Sequence, residues 1–166
     1  MTPVAAFHTA LGTLALATGA AVLARPKGSR WHRVAGRVYV GSMVTLCLAS
    51  FALRASTPFF QGFGPFHVAA CVSLGTVAAG AWVAWRRGAN WLEAHYMWMA
   101  WSYIGLVMAT GGHVHAPLAE GLAGAGLARG LAAGVAIGVL WGLPPVLGRR
   151  WIAHAKPGWD RRVPAA

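Results

Sequence analysis

The chain has 166 residues, of which 57% are hydrophobic and only 10% are charged, and its mean hydropathy is +0.55. This composition excludes an ordinary soluble domain and indicates a helical protein with several membrane spans. The formal net charge of +11 raises nucleic-acid binding as an alternative, but the basic residues cluster in short segments between apolar runs. That pattern is typical of membrane topology, so we expect a lipid bilayer and no nucleic acid as partner.

Five apolar runs are long enough to cross about 30 Å of hydrocarbon. We therefore predict a single-domain, all-α bundle of five transmembrane helices. The first run has no basic segment before it, which argues against a signal peptide. The predicted helices cover residues 4–24, 38–56, 65–85, 95–114 and 125–147, and a basic tail follows at 148–166.

The Lys and Arg residues predict the orientation of this bundle. Of the 14, all but Arg54 and Arg129 lie in the segments 25–37, 86–87 and 149–162. These segments fall on one side of a five-helix bundle, and the positive-inside rule makes that side cytoplasmic. We expect the N-terminus outside, the C-terminus in the cytoplasm and the protein in the bacterial inner membrane. Arg54 and Arg129 fall near the outer face, where they either snorkel to headgroups or meet an anionic cofactor group.

The predicted fifth helix carries four glycines at intervals of four residues, which places them on one face. Small residues at this spacing let another backbone approach closely. The face therefore packs within the bundle, or forms the seam of a homodimer or a larger membrane complex. The glycines are Gly130, Gly134, Gly138 and Gly142.

The histidines divide between the two membrane faces. His32, His95 and His154 are predicted near the inner face, the last in the basic tail. In the fourth helix, His95 and His113 are 18 residues apart, so they share a face and lie about 27 Å apart. Small residues follow His67 at helical spacing and leave room for a cofactor or for close packing: Cys71, Gly75 and Ala78. The histidines predicted near the outer face are His8, His67, His113 and His115.

Imidazoles from several helices suit two kinds of cofactor. The outer four, His8, His67, His113 and His115, provide nitrogen ligands for a zinc or copper ion. Alternatively, two histidines from facing helices ligate haem b, with His32 and His95 as a second set and Arg54 or Arg129 meeting the propionates. Each histidine also has a structural explanation, as an interfacial side chain, a lipid-phosphate contact or a loop residue.

Two segments carry a family resemblance. WHRVAGRVYVGSM at the start of the second helix and HYMWMAWSYIGL in the fourth resemble domain of unknown function 2306, a family of uncharacterised bacterial membrane proteins. The resemblance implies a multi-span membrane fold and little about activity. The positions that carry it are His32, Arg33, Gly36, Arg37 and Tyr39, followed by His95 and Met99.

The sequence is compatible with three classes of function, and it does not decide whether the protein is an enzyme. The first is haem or metal binding with a redox or electron-transfer role. The second is a zinc-dependent membrane hydrolase at the outer histidines. It is weakened because, of the three acidic residues Glu93, Glu120 and Asp160, only Glu120 is predicted on the outer side, where it could act as the general base. The third is a non-catalytic assembly or interaction subunit, which the small size and the glycine face favour.

Overall fold

The computed structural model of the protein describes residues 2–25, 27–54 and 60–122, together with Val146 and Arg150, and it describes side chains continuously to Gly111 apart from those gaps. It divides into two compact units, Met1–Leu106 and Val107–Ala166, and the packing below belongs to the first. Apart from Val146 and Arg150, the predicted fifth helix, its glycine face (Gly130, Gly134, Gly138, Gly142), Arg129 and the tail lie outside the described residues.

The described residues form four α-helices and one isolated β-bridge, between Phe60 and Phe63. The all-α prediction is confirmed for this part of the chain. Two of these helices, α1 and α3, are long and apolar enough to cross a membrane by length and composition, so five spans and their orientation remain predictions. The helices are α1 (Pro3–Ala24), α2 (Arg30–Ser50), α3 (Pro65–Arg86) and α4 (Trp91–Leu122).

Local capping explains where α1 and α2 begin. Thr2 accepts a hydrogen bond from the Ala5 amide through its side chain, and Pro3 follows at the first helical position. Ser29 accepts one from the His32 amide at 3.0 Å, so α2 begins at Arg30. The second helix was predicted at 38–56, which is wrong at both ends. Hydropathy marks the residues that enter lipid, whereas this helix begins at its cap and ends at Ser50, before a turn of i→i+3 hydrogen bonds.

The bundle core lies where α2 packs against α1, α3 and α4. Its buried residues are Ala15, Tyr39, Met43, Leu46, Val77 and Leu106. The α2–α4 contact includes a buried hydrogen bond, in which Tyr39 Oη donates to Ser102 Oγ at 2.8 Å, because the Ser102 hydroxyl proton is itself donated to the Met99 carbonyl. Tyr103 Oη donates to the Leu16 carbonyl and connects α4 to α1. These bonds hold the helices in a fixed register.

One predicted helix face differs from the structure. On α1, Ala15 and Gly19 are buried and face the bundle. On α3, the residues that follow His67 on the predicted face, Cys71, Gly75 and Ala78, are exposed. The buried face of α3 instead runs through His67, Ala70, Val77 and Gly80.

Candidate functional site

The described histidines lie at opposite ends of the bundle. His8 hydrogen-bonds Ser50 at the C-terminal end of α2, and His67 hydrogen-bonds Leu53 in the turn that follows it. His32 lies in the first turn of α2 and His95 in the second turn of α4. We refer to the end formed by residues 24–33 and 86–95 as the basic end, and to the opposite end as the His67 end. The predicted separation of the histidines into two layers is therefore present, although their sides of the membrane remain predictions.

His67 joins α3 to the turn that follows α2. The Gly64 amide donates to His67 Nδ1 at 3.0 Å, and Nε2 donates to the Leu53 carbonyl at 2.9 Å. This pattern defines a neutral imidazole with its proton on Nε2. The ring is 7% exposed and lies against Phe63 and Phe51, with centroids 4.8 and 5.9 Å away. Coordination of a metal ion by His67 would require the loss of one of these backbone hydrogen bonds.

His8 forms a second link at the His67 end. Its Nε2 lies 3.1 Å from Ser50 Oγ. The Ser50 hydroxyl donates to the Leu46 carbonyl at 3.0 Å, so His8 Nε2 is the donor in the first bond. Arg54, the predicted partner of an anionic group, lies beside the turn at Gly62. His113 and His115 are part of α4, but their side chains lie outside the described residues, so the outer site remains a prediction.

At the basic end, a backbone carbonyl orients His95. His95 Nδ1 donates to the Gly80 carbonyl of α3 at 2.8 Å. With the proton on Nδ1, the lone pair of a neutral imidazole is on Nε2. Histidines that ligate metals in proteins usually have this arrangement, in which the second ring nitrogen donates to a carbonyl.

His32 lies in the first turn of α2, near enough to His95 for their charges to interact. Its Nδ1 is buried and has no hydrogen-bond partner in the structure. Burial lowers the pKa of His32 from 6.5, and the charges of Lys27, His95 and Arg33 lower it further. His32 is therefore a neutral imidazole at pH 7, which is the form that ligates metals. A buried ring nitrogen without a partner is uncommon, and a water molecule, an ion or a ligand would each satisfy it.

Gly36 lies one helical turn after His32 and has open space beside it, since a Cβ built there meets no atom within 4 Å. Lys27 lies near enough to His32 to lower its pKa, and its Nζ donates to the Val22 and Leu23 carbonyls at the end of α1. The basic end thus combines two imidazoles, an accessible backbone and positive charge. Across the described side chains, no three His, Cys, Asp or Glu residues are grouped as they would be around a metal ion.

Two contributors to this site were not recognised in the sequence. The Gly80 carbonyl is a backbone acceptor and leaves no signal in the sequence. Lys27 was counted only toward topology, although its position five residues before His32 is a usable signal. His32 and His95 were both predicted as cofactor ligands, but no sequence pattern predicts that they lie at one site rather than on separate loops.

The helical bundle, the apolar helices and the basic end together define a membrane protein. Residues 5–146 match the family described as predicted membrane protein (DUF2306), and the chain belongs to that family. The match includes both segments that carried the resemblance. No curated protein and no solved structure matches the chain significantly.

Proposed function

We propose that this membrane protein binds haem b between His32 and His95 and transfers electrons through it. One observation carries the proposal: the buried Nδ1 of His32 has no partner, and it lies near a histidine whose ring is already fixed by the Gly80 carbonyl. When bound, a bis-histidine haem supplies reversible one-electron transfer. The contribution of this chain is to present two imidazoles and to keep them in position.

The charges around the pair favour haem over a bare metal ion. Lys27 and Arg33 both act on His32, and a divalent cation would be repelled by them. Haem carries two propionates, which these side chains would balance. Gly36 supports the same choice, because the open space beside it would allow a flat ring to approach α2.

The predicted zinc or copper site of His8, His67, His113 and His115 remains the second candidate. It is supported by the placement of His8 and His67 at the same bundle end. A zinc-dependent hydrolase at that site would need a general base, and Glu120 is the acidic residue predicted on that side. A non-catalytic assembly role, with the glycine face of the fifth helix as the contact, is the third.

The proposal includes five spans in the bacterial inner membrane with the basic end in the cytoplasm. On that topology His32 and His95 would accept electrons from, or deliver them to, a cytoplasmic donor or acceptor. Transfer across the whole membrane would require a second site, for which the outer histidines and Arg54 or Arg129 are the predicted residues.

The test is the absorption spectrum of protein purified from cells supplied with haem precursor. We expect a Soret band in the parent protein and its loss in His32→Ala and in His95→Ala. His67→Ala is the matched control, because both of its ring nitrogens already bond the backbone.

A band that survives in both variants at the basic end but disappears in His8→Ala or His113→Ala would move the cofactor to the outer histidines. A colourless parent protein that contains zinc or copper by elemental analysis would replace haem with the metal site. A colourless, metal-free protein would contradict both and leave the assembly role.

A further inference from the structure

The basic end carries three arginines whose guanidinium groups lie over tryptophan rings. Two of them, Arg86 and Arg87, are consecutive in sequence and contact rings from two different helices. A guanidinium held over an aromatic face keeps its N–H groups in its own plane, directed away from the ring. The pairs are Arg25 over Trp31 at 5.0 Å from the ring centroid, Arg86 over Trp82 at 5.0 Å and Trp85 at 6.0 Å, and Arg87 over Trp91 at 5.5 Å.

The turn between α3 and α4 creates this arrangement. Arg87 ends α3 in the left-handed conformation, with φ of 49°, and its amide donates to the Val83 carbonyl. Asn90 is also left-handed, with φ of 55°, and α4 begins immediately after it. The chain therefore reverses within a few residues, which brings Trp91 beneath Arg87 while Arg86 stays over the last turns of α3.

The rings on this turn are unusually exposed. Trp85 is 71% exposed and Trp82 is 54% exposed, and their rings meet edge to face with centroids 5.0 Å apart. Indole rings at the end of an apolar helix are typical of the headgroup region of a membrane, where one part of the ring contacts acyl chains and the N–H group contacts polar groups.

The described segments at this end carry more positive than negative charge. Residues 24–33 and 86–95 contain six basic residues and one carboxylate, that of Glu93. Negative charge from outside these segments must therefore complement at least five cations.

We propose that Arg86, Arg87, Trp82, Trp85 and Trp91 form a binding surface for the headgroup phosphate of an anionic phospholipid. The two guanidinium groups donate to the phosphate oxygens, which accept paired N–H groups well. The exposed indoles pack against the glycerol and the first acyl carbons. The tryptophans favour a lipid over a dissolved anion, because free phosphate would leave the rings in water. The surface does not include His32 or His95 and is independent of the haem proposal.

The experiment uses the full-length protein reconstituted in mixed vesicles of phosphatidylglycerol and phosphatidylcholine, then extracted in mild detergent. The ratio of the two lipids retained is measured by mass spectrometry. We expect phosphatidylglycerol to be enriched on the parent protein, and Arg86→Gln and Arg87→Gln each to reduce the enrichment by about fivefold. Arg54→Gln removes the same charge at the His67 end and is expected to leave the enrichment unchanged.

A double variant separates recognition of the phosphate by the guanidinium groups from the effect of charge alone. Arg86→Lys with Arg87→Lys keeps both charges but loses the planar group that lies over the rings, so most of the enrichment should disappear. The proposal is overturned if the lysine variant retains the full enrichment, if Arg54→Gln reduces it equally, or if inorganic phosphate displaces phosphatidylglycerol from the parent protein. The lysine variant is conservative, and its thermal midpoint in pure phosphatidylcholine should match that of the parent protein.

Discussion

The imidazole of His67 connects two helices through their backbones. It accepts from the Gly64 amide at the start of α3 and donates to the Leu53 carbonyl after α2. The position is that of a capping box, with histidine replacing the usual Glu or Gln three residues after the cap. An ionisable residue one turn inside an apolar helix thus has a structural explanation that does not need a cofactor.

We predict that His67→Ala lowers the free energy of unfolding by about 1–3 kcal/mol, because two backbone groups lose their partner in a buried position. Cys71→Ala, one turn later on the exposed side of α3, is the matched control and should change it by less than about 0.5 kcal/mol. Denaturant titration in detergent measures both. A loss of cofactor absorption in His67→Ala at unchanged stability would instead identify His67 as a ligand.

The hydrogen bond between Tyr39 and Ser102 gives an asymmetric prediction. Ser102→Ala leaves the buried Tyr39 hydroxyl without an acceptor, whereas Tyr39→Phe leaves Ser102 still bonded to the Met99 carbonyl. We expect Ser102→Ala to cost about 1–3 kcal/mol and Tyr39→Phe about 1 kcal/mol. In the double variant the penalty should be less than the sum of the two, since no unpaired hydroxyl remains. Additive effects would show that the two side chains are not coupled.

At the scale of the helices, close approach depends on particular glycines. A Cβ at Gly19 of α1 would lie 2.5 Å from Tyr103 and 2.9 Å from Tyr39, whose rings are held by hydrogen bonds and cannot easily move. At Gly80 the nearest atom is the Met99 sulfur, at the flexible part of its side chain. At Gly75 no atom lies within 4 Å.

We therefore predict that Gly19→Ala destabilises the protein by about 1–3 kcal/mol and Gly80→Ala by less. Gly75→Ala should be neutral or stabilising by about 0.5–1 kcal/mol, because alanine favours the helix. Thermal midpoints of the three variants in one detergent establish the order. If Gly19→Ala were as stable as Gly75→Ala, α1 would not pack against Tyr39 and Tyr103.

The helices also show what the sequence could and could not predict. The bounds of α1 and α3 were predicted closely, because both are apolar along their whole length and hydropathy detects that. The start of α2 was missed, since its first two turns contain Arg30, Arg33 and Arg37, and charge does not prevent a helix that a serine caps. The buried face of α3 was also missed, because small residues occupy both sides of it.

The candidate site was also predictable only in part, because its assembly depends on helix packing and on backbone groups. The sequence shows which residues could act as ligands, and His32 and His95 were both predicted as ligands from it. Their convergence depends on how α2 and α4 pack, and the orientation of His95 depends on the Gly80 carbonyl. Backbone partners of this kind have no side-chain signature, so neither the pairing at the basic end nor the capping role of His67 could be inferred before the fold was known.

At the scale of the whole molecule, the distribution of charge is highly asymmetric. The basic end contains six Lys and Arg residues in residues 24–33 and 86–95, whereas the described part of the His67 end contains Arg54. Cations near the ends of short loops are retained in the cytoplasm during membrane insertion. The same end would also face the anionic leaflet that the Arg86 and Arg87 surface requires.

The last prediction tests this orientation. An alkaline phosphatase fused before Met1 should be active outside the inner membrane, and a fluorescent protein fused after Ala166 should be fluorescent in the cytoplasm, because twelve of the 14 basic residues then lie inside.

A cysteine introduced at Gln61, in the turn before α3, should react with a membrane-impermeant thiol reagent in intact cells, whereas one at Gly88, between α3 and α4, should react only after lysis. Cys47→Ser and Cys71→Ser provide the background for this labelling. Reaction of Gly88→Cys in intact cells would reverse the bundle and place His32, His95 and the lipid-binding surface outside.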